Sequence, residues 1–217
     1  MRIACVSYRD WALAIYDELA LDAGSEVMIV RSREEFDEDA VVAFAPELML
    51  FYGWSWKVSD RLLGVCDCLM LHPAPLPKYR GGSPIQNQII AGEKTSAVTL
   101  FVMTDEMDAG GIVAQEAFSL DGHLDEILGR ITETGLRLTR AIIRDGYTPV
   151  AQVRADATYV QRRKPADSEL TLEELTNASA EDIFNKIRML EDPYPNAFIR
   201  TADGKRLLIK HAEIESD

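Results

Sequence analysis

The residues best placed to do chemistry lie in a proline-rich loop and in a downstream turn. His72 stands near the start of the loop, LHPAPLPKYRGGSPIQ, and Asp108 lies in the turn, EMDAGG. Three prolines within five residues exclude a helix or a central strand, because proline lacks the amide donor and fixes φ. An imidazole beside a carboxylate can hold a proton where negative charge develops during a reaction. By themselves, the two residue types are more typical of a strand-end histidine and a turn aspartate.

Positive charge is scarce in this chain but locally concentrated. The formal net charge is −13, from 23 Lys and Arg against 36 Asp and Glu. Nucleic-acid binding draws most of its affinity from neutralised phosphates, so no broad nucleic-acid surface is expected. Lys78 with Arg80, and the segment QRRK at 161–164, are either solvated charge or a binding place for a small anion.

Strands and helices alternate through the first two thirds of the chain. Several of the predicted strands are nearly wholly apolar, which favours a mostly parallel sheet covered on both faces. In such a doubly wound α/β sheet, ligands bind beyond the carboxyl ends of the strands, where the proline-rich loop begins. The predicted strands cover residues 2–8, 26–31, 47–53, 68–72, 96–103 and 111–120.

Capping residues and glycines mark the helix ends. Asp10 is predicted to cap a helix that stops at Gly24, and Ser32 with Glu35 forms a capping-box pattern ahead of a short helical stretch. Proline at the first turn of SPIQNQIIAGE predicts a helix there. A long amphipathic helix is closed by Gly146.

Near residue 150 the alternating apolar segments give way to polar connecting sequence. We expect an α/β domain at 1–150 and a small C-terminal extension at 151–217, made of a linker, a helix and a hairpin. Ser179 is predicted to cap the helix, and Asp203-Gly204 to form the hairpin turn.

No nucleotide cofactor, metal or membrane is expected. The segment CVSYRD after the first strand lacks the glycine-rich turn of a dinucleotide site. Cys5, Cys66 and Cys68 are typical of reduced thiols in a cytoplasmic protein, and no further Cys or His pair completes a metal site around CDC. The start of the chain lacks the layout of a signal peptide, and no apolar run reaches 18 residues. The sequence allows a homodimer.

Two quoted stretches resemble a known family. LHPAPLPKYRGGSPIQNQIIAGE and VTLFVMTDEMDAGGIVAQE are similar to the core of the folate-dependent formyltransferases, over about residues 45–120. That family includes methionyl-tRNA formyltransferase, glycinamide ribonucleotide transformylase and the sugar N-formyltransferases. The resemblance implies a Rossmann-like core and formyl transfer from N10-formyltetrahydrofolate to a primary amine. The later segment IRMLEDPYPNAF resembles the sugar-modifying members.

The resemblance also implies catalytic residues. His72 matches the family's histidine and Asp108 its aspartate, while Met70 stands where the family has an asparagine. Methionine cannot donate a hydrogen bond to an oxyanion, so another donor is needed if the enzyme is fully active. Asn87 is our first choice for that donor and Gln86 the second; a slow enzyme and a folate binder without activity are the other possibilities.

Binding residues follow from the same resemblance. The folate is expected near the segment after the third strand, with the tryptophans either walling the pterin pocket or packing in the core, and near the 105–111 loop. The acceptor amine is expected beside basic groups that neutralise a phosphate. The predicted folate contacts are Tyr52, Gly53, Trp54, Asp105 and Gly110, and the predicted acceptor contacts are Lys78, Arg80, Gly81 and Tyr194.

Three acceptor hypotheses remain after this comparison. A nucleotide-linked amino sugar fits the acidic chain and the short helix-plus-hairpin segment best. Methionyl-tRNA fits less well, because the tRNA enzymes carry a larger basic second domain. A hydrolase or a non-catalytic binder of formyltetrahydrofolate is the third; Met70 supports the binder, whereas hydrolases of this kind usually carry an extra N-terminal regulatory domain that is not expected here.

Overall fold

The computed structural model describes residues 1–215 and is built around a six-stranded mixed sheet. The strands are β1 (Arg2–Val6), β2 (Glu26–Val30), β3 (Leu48–Leu50), β4 (Cys68–His72), β5 (Arg80–Gly81), β6 (Thr95–Val102), β7 (Ile112–Ser119), β8 (Tyr159–Val160), β9 (Ala197–Arg200) and β10 (Arg206–Ile209). The helices are α1 (Asp10–Leu21), α2 (Glu38–Phe44), α3 (Asp60–Leu63), α4 (Pro84–Ile90), α5 (Leu124–Asp145), α6 (Leu172–Asn177) and α7 (Ala180–Arg188).

The sheet order is β2-β1-β3-β4-β6-β7. The first four of these strands are parallel, and β6 and β7 add antiparallel pairs at one side. The mostly parallel α/β sheet predicted from the apolar strands is therefore confirmed. The carboxyl ends of β3 and β4 lie side by side, so the segments that leave them share one edge of the sheet.

Each face of the sheet has its own apolar cluster. On one face Ile15 of α1 and Ile131 of α5 pack against the strands, and both side chains are fully buried or nearly so. On the other face Val41 of α2 and Leu62 of α3 cover Met49 of β3. Burial on both sides explains why the parallel strands carry almost no polar residues.

Two predicted helix starts differ from the structure. Asp10 is the first helical residue of α1 rather than its cap, and the residue before it makes no side-chain capping bond. Ser32 Oγ accepts the amide hydrogen of Glu35, as a capping box would, but only a turn forms there. The next helix begins at residue 38, because Asp37 accepts two amide hydrogens of that helix's first turn. A local cap pattern needs a following apolar face to become a helix.

Residues 151–215 pack onto the same core as the sheet. Ile187, Met189 and Ala197 belong to the cluster that contains α1 and α5. The buried Arg188 donates to the carbonyl oxygens of Leu120 and Gly122. The hairpin of β9 and β10 forms as the sequence predicts, and Ser179 caps α7 through a capping box.

Within residues 1–215, none of the helices combines the length and the apolar character that crossing a bilayer would require.

Candidate active site

His72 is the last residue of β4, and its ring is anchored on one side. The residue is 5% exposed, and its Nε2 lies 2.8 Å from the carbonyl oxygen of Tyr79. A carbonyl oxygen only accepts hydrogen bonds, so Nε2 carries a hydrogen and donates it. The bond fixes both the ring orientation and the tautomer, and it leaves Nδ1 as the atom available for chemistry.

Asp108 faces that second nitrogen. Its Oδ2 lies 3.7 Å from His72 Nδ1 and also accepts the amide hydrogen of Gly81 at 2.7 Å. A separation of 3.7 Å is longer than a hydrogen bond, so Nδ1 keeps its capacity to bond a substrate atom. The two residues singled out from the sequence are thus brought together.

A residue that sequence reasoning missed holds the Asp108 loop in place. Gln152 Nε2 donates to the carbonyl oxygens of Asp108 and Gly110, at 2.9 and 2.8 Å. Gln152 Oε1 in turn accepts hydrogen bonds from Arg80 Nε and Nη2, at 3.1 and 2.7 Å. Gln152 lies in a polar stretch with no motif. The one sequence signal near Gln152 was the pair of β-forming residues at 159–160. In the structure these residues pair with β5, which brings the polar stretch against the proline-rich loop.

The backbone around this pair adopts left-handed conformations. Tyr79, Ser83 and Asp108 have φ of 58°, 52° and 51°, a region that non-glycine residues rarely occupy. Such strain costs roughly 1–3 kcal/mol for each residue and clusters at functional sites. Gly81 has φ of 106°, and a Cβ there would lie 2.3 Å from the carbonyl oxygen of Val160. Glycine is therefore required where the β5–β8 pair closes the site.

The backbone amide and the side chain of Tyr79 are both fixed by hydrogen bonds. Its amide donates to Thr158 Oγ1, and its phenol donates to Glu93 Oε1 at 2.6 Å. Burial and the neighbouring Glu93 carboxylate raise the pKa of Tyr79 to about 12, so the phenol stays protonated as that donor. The carbonyl that anchors His72 is thereby fixed in position.

Arg80 does not fit the predicted role of a phosphate contact. The residue is 1% exposed, and its guanidinium donates to Gln152 and to Tyr159 Oη, with Glu106 at 3.7 Å. Because the guanidinium is buried and already donates to these protein groups, it is poorly accessible to a nucleotide phosphate. Lys78, by contrast, is exposed and free to meet an anion at the entrance of the loop.

Asn87 does not fit the predicted role of oxyanion donor. Its Nδ2 lies 3.0–3.1 Å from three carbonyl oxygens, those of Gly82, Ser83 and Gln161. The two amide hydrogens are therefore used in joining α4 to the 161 segment. Gln86, the second choice, is 5% exposed, and its Nε2 has no hydrogen-bond partner among residues 1–215. A buried donor without a partner is costly unless a ligand completes it, so Gln86 becomes the better candidate.

Substitution of the two amides is expected to separate these roles. Gln86→Met, which keeps the volume, is expected to leave Tm unchanged and to lower kcat by about tenfold or more if its amide meets the oxyanion. Asn87→Ala is expected to cost about 0.5–1.5 kcal/mol of stability, since three carbonyl oxygens lose their shared donor, with little change in kcat. Thermal unfolding and single-turnover kinetics check both. A full rate in Gln86→Met would exclude that amide as the donor.

Of the predicted folate contacts, Tyr52 directs its side chain into the core. It is fully buried, its phenol bonds Thr139 Oγ1 at 2.9 Å, and its ring packs on Tyr16. Gly53 has φ of 67° where the chain leaves β3, and Trp54 packs against other aromatic rings. The indole Nε1 of Trp54 is buried and has no hydrogen-bond partner within the described residues.

The remaining predicted binding residues differ in how far they are buried. Asp105 is exposed in the turn that carries Asp108. Gly110 is buried, and a Cβ there would lie 1.7 Å from the carbonyl oxygen of Val102, so only glycine fits. Tyr194 packs against the main apolar cluster with the Arg9 guanidinium 5.3 Å from its ring centre. It is not among the groups hydrogen-bonded to His72 or Asp108.

A basic cleft adjoins the loop on the α4 side. It has a volume of about 450 Å³ and contains the segment QRRK. Arg162 and Lys164 are exposed there, and Arg163 is half-buried with its Nε lacking a hydrogen-bond partner among residues 1–215. In a chain of net charge −13, positive charge is concentrated in this cleft, although Asp167 also lines it.

Comparisons with known proteins agree with this geometry. The sequence model of the family described as "Formyl transferase" matches residues 18–137. A methionyl-tRNA formyltransferase from Lysinibacillus sphaericus is 29% identical over 182 residues, 81% of this chain and 56% of that protein. The chain spans less than two thirds of the length of the first curated relatives it matches.

Solved structures show the same fold over the whole chain. A methionyl-tRNA formyltransferase from Clostridium thermocellum superposes with a TM-score of 0.91 at 27% identity, covering 99% of this chain and 94% of that one. A sugar N-formyltransferase from a Shewanella species superposes with a TM-score of 0.77 at 18% identity, covering 100% and 99%. The second likeness is one of fold alone.

Proposed function

Because this chain belongs to the formyl transferase family, we propose that it transfers a formyl group from N10-formyltetrahydrofolate to a primary amine. The observation that carries the proposal is the pair of His72 and Asp108, held 3.7 Å apart at the carboxyl end of β4. The family match over residues 18–137 includes both residues.

The chemistry needs few groups, and the pair can supply the main ones. The amine nitrogen attacks the formyl carbon, negative charge grows on the formyl oxygen, and the bond from that carbon to N10 then breaks. In the doubly protonated form of the ring, His72 Nε2–H stays bonded to Tyr79 and Nδ1–H donates to the growing oxyanion, while the Asp108 carboxylate offsets the charge of the ring. The attacking amine loses one proton, and the N10 leaving group gains one, so tetrahydrofolate and the formamide are the products.

The folate is proposed to lie at the sheet edge shared by β3 and β4. Gly53 allows close backbone approach as the chain leaves β3, and the 105–111 turn supplies backbone groups around Asp105 and Gly110. The buried, unpartnered Nε1 of Trp54 supports its role as a polar contact in this region. The side chain of Tyr52 packs in the core, so we do not assign it to the folate site.

For the acceptor we propose a nucleotide-linked amino sugar. The cleft formed by QRRK beside α4 is small, which suits one or two phosphates better than a long polyanion. Lys78 is exposed at the loop, and Tyr194 is carried over as a contact of the sugar. The second candidate is methionyl-tRNA, favoured by the curated relative from Lysinibacillus sphaericus and by the Clostridium thermocellum structure.

A panel of acceptors tests the proposal. The protein is incubated with N10-formyltetrahydrofolate and UDP- or dTDP-linked amino sugars, and mass spectrometry measures the formyl increment. A parallel reaction contains charged initiator tRNA. Formylation of tRNA with none of the sugars would replace the sugar by the second candidate. Tetrahydrofolate release without any formylated product would contradict formyl transfer itself.

The basic cleft gives a prediction for binding. The double substitution of Arg162 and Lys164 to Ala is expected to raise KM for a nucleotide sugar by about tenfold or more, because two charges near a phosphate are lost. KM for the folate is expected to stay unchanged. Lys205→Ala, on the hairpin, is a control that also removes positive charge, but away from the cleft. An equal rise in KM for this variant would mean that the effect comes from the overall charge of the protein.

A further inference from the structure

Two of the chain's three histidines stack against each other outside the site described above. His123 precedes α5 and His211 follows β10, and their ring centres are 4.2 Å apart with planes inclined by 23°. Glu191, which follows α7, points one oxygen at both rings. Its Oε1 lies 2.7 Å from His123 Nδ1 and 3.2 Å from His211 Nδ1.

The carboxylate of Glu191 is fixed by a second bond. Its Oε2 accepts the amide hydrogen of Leu124 at 3.0 Å, at the N-terminus of the 22-residue helix α5. The partial positive charge of a helix N-terminus favours a negative group there. The His123 amide donates to Glu126, and the edge of its ring meets Phe184. Two of the three groups are therefore held in place before any ligand arrives.

The charges around the cluster suit a cation. Glu213 Oε1 lies 3.5 Å from His211 Nε2, which adds a second carboxylate. Lys210 is paired with Asp192 instead of Glu191, and the guanidinium of Arg188 donates to backbone carbonyls. The neighbouring positive groups are thus already paired with other acceptors.

We propose that His123, Glu191 and His211 bind a divalent transition metal of the zinc type. Imidazole nitrogens and a carboxylate oxygen are ligands that Zn²⁺ prefers, at about 2.0–2.2 Å each. The three ligand atoms lie within 4.8 Å of one another. Because the two rings are stacked, the more exposed His211 ring must turn so that both nitrogen lone pairs point at one ion. The metal replaces the hydrogens between the rings and Glu191 Oε1, and those protons leave to solvent. Water completes four ligands.

The metal would join distant parts of the chain. Glu191 lies 68 residues after His123 and 20 before His211. An ion bound to all three would tie the segment after β10 to the start of α5 and to the turn after α7. The role is structural, since none of the three residues contacts His72 or Asp108 through a hydrogen bond.

Zinc titration of the purified full chain tests the proposal. After removal of bound metal with a chelator, calorimetric titration with ZnCl₂ is expected to show one site per chain. Zinc at a hundredfold excess over Kd is expected to raise Tm by roughly 5 °C. His123→Gln and His211→Gln are each expected to weaken binding by about a hundredfold, since each removes one of three ligands. Affinity is also expected to fall at lower pH, because the rings must be neutral to bind.

Matched controls separate this site from other ligands. His72→Gln removes the remaining histidine, and Cys66→Ser removes the half-buried thiol; both are expected to keep zinc affinity. His211 is more than half exposed near the end of the described chain, so its substitution leaves the core packing intact. One-to-one binding that survives in both His123→Gln and His211→Gln, or no binding by the wild type, would overturn the proposal.

Discussion

His72→Ala is expected to lower kcat for formyl transfer by about a thousandfold, with KM for the folate changed only a few-fold. The substitution removes the group that donates to the formyl oxygen as charge develops, and such a donor acts mainly in the transition state. The ring ends β4 at the surface of the core, so the sheet itself keeps its packing. Single-turnover rates with quantified formyl product measure the effect.

Folding of the variant must be checked alongside the rate. Loss of the ring leaves the Tyr79 carbonyl without its donor, which costs about 1–3 kcal/mol if the carbonyl stays buried. His72→Gln is a second variant with a side chain that can still donate to that carbonyl. If either variant, folded as judged by circular dichroism, keeps more than a tenth of the wild-type kcat, His72 is not the donor.

Asp108→Asn is expected to lower kcat by about a hundredfold and to change its dependence on pH. The amide is isosteric, tolerates φ of 51°, and still accepts the Gly81 hydrogen bond. It removes only the negative charge 3.7 Å from His72 Nδ1. The carboxylate charge that faces the ring is then lost without a change of shape, so the ring is expected to stabilise the oxyanion less well.

The pH profile distinguishes this role from a merely structural one. Asp156→Asn, at an exposed position, serves as a control for loss of one carboxylate. An unchanged kcat and an unchanged pH profile in Asp108→Asn would contradict the coupling of Asp108 to the ring. A loss of activity accompanied by a large drop in Tm would instead assign Asp108 to the loop structure.

The sheet was predictable because its strands carry their own signal. Runs such as those of β1 and β4 are almost wholly apolar, and that composition is typical of strands covered on both faces. The place of His72 followed, since the residue that ends β4 must lie at the sheet edge. The resemblance to formyltransferases added Asp108, which the turn alone would not have singled out.

The differences between predicted and observed contacts have a common physical cause, which is the direction in which the side chains point. Asn87 and Gln86 are neighbours on α4, and which one turns toward other segments depends on helix phase and on the 161 segment. Arg80 looked like an exposed cation, because nothing in its sequence surroundings reveals its hydrogen-bond partners at 152 and 159. Such contacts join residues more than 70 positions apart, which no local pattern encodes.

The pairing of β5 with β8 sets an order of events during synthesis. Arg80 and Gly81 emerge from the ribosome with the proline-rich loop, but their partners at 152–160 follow only after the whole of α5. All six strands of the central sheet have been synthesised once the chain reaches Ser119. The sheet can therefore begin to form while β5 of the catalytic loop still lacks its partner β8. The catalytic loop therefore gains its β8 partner only after the strands of the central sheet and the whole of α5 have been synthesised.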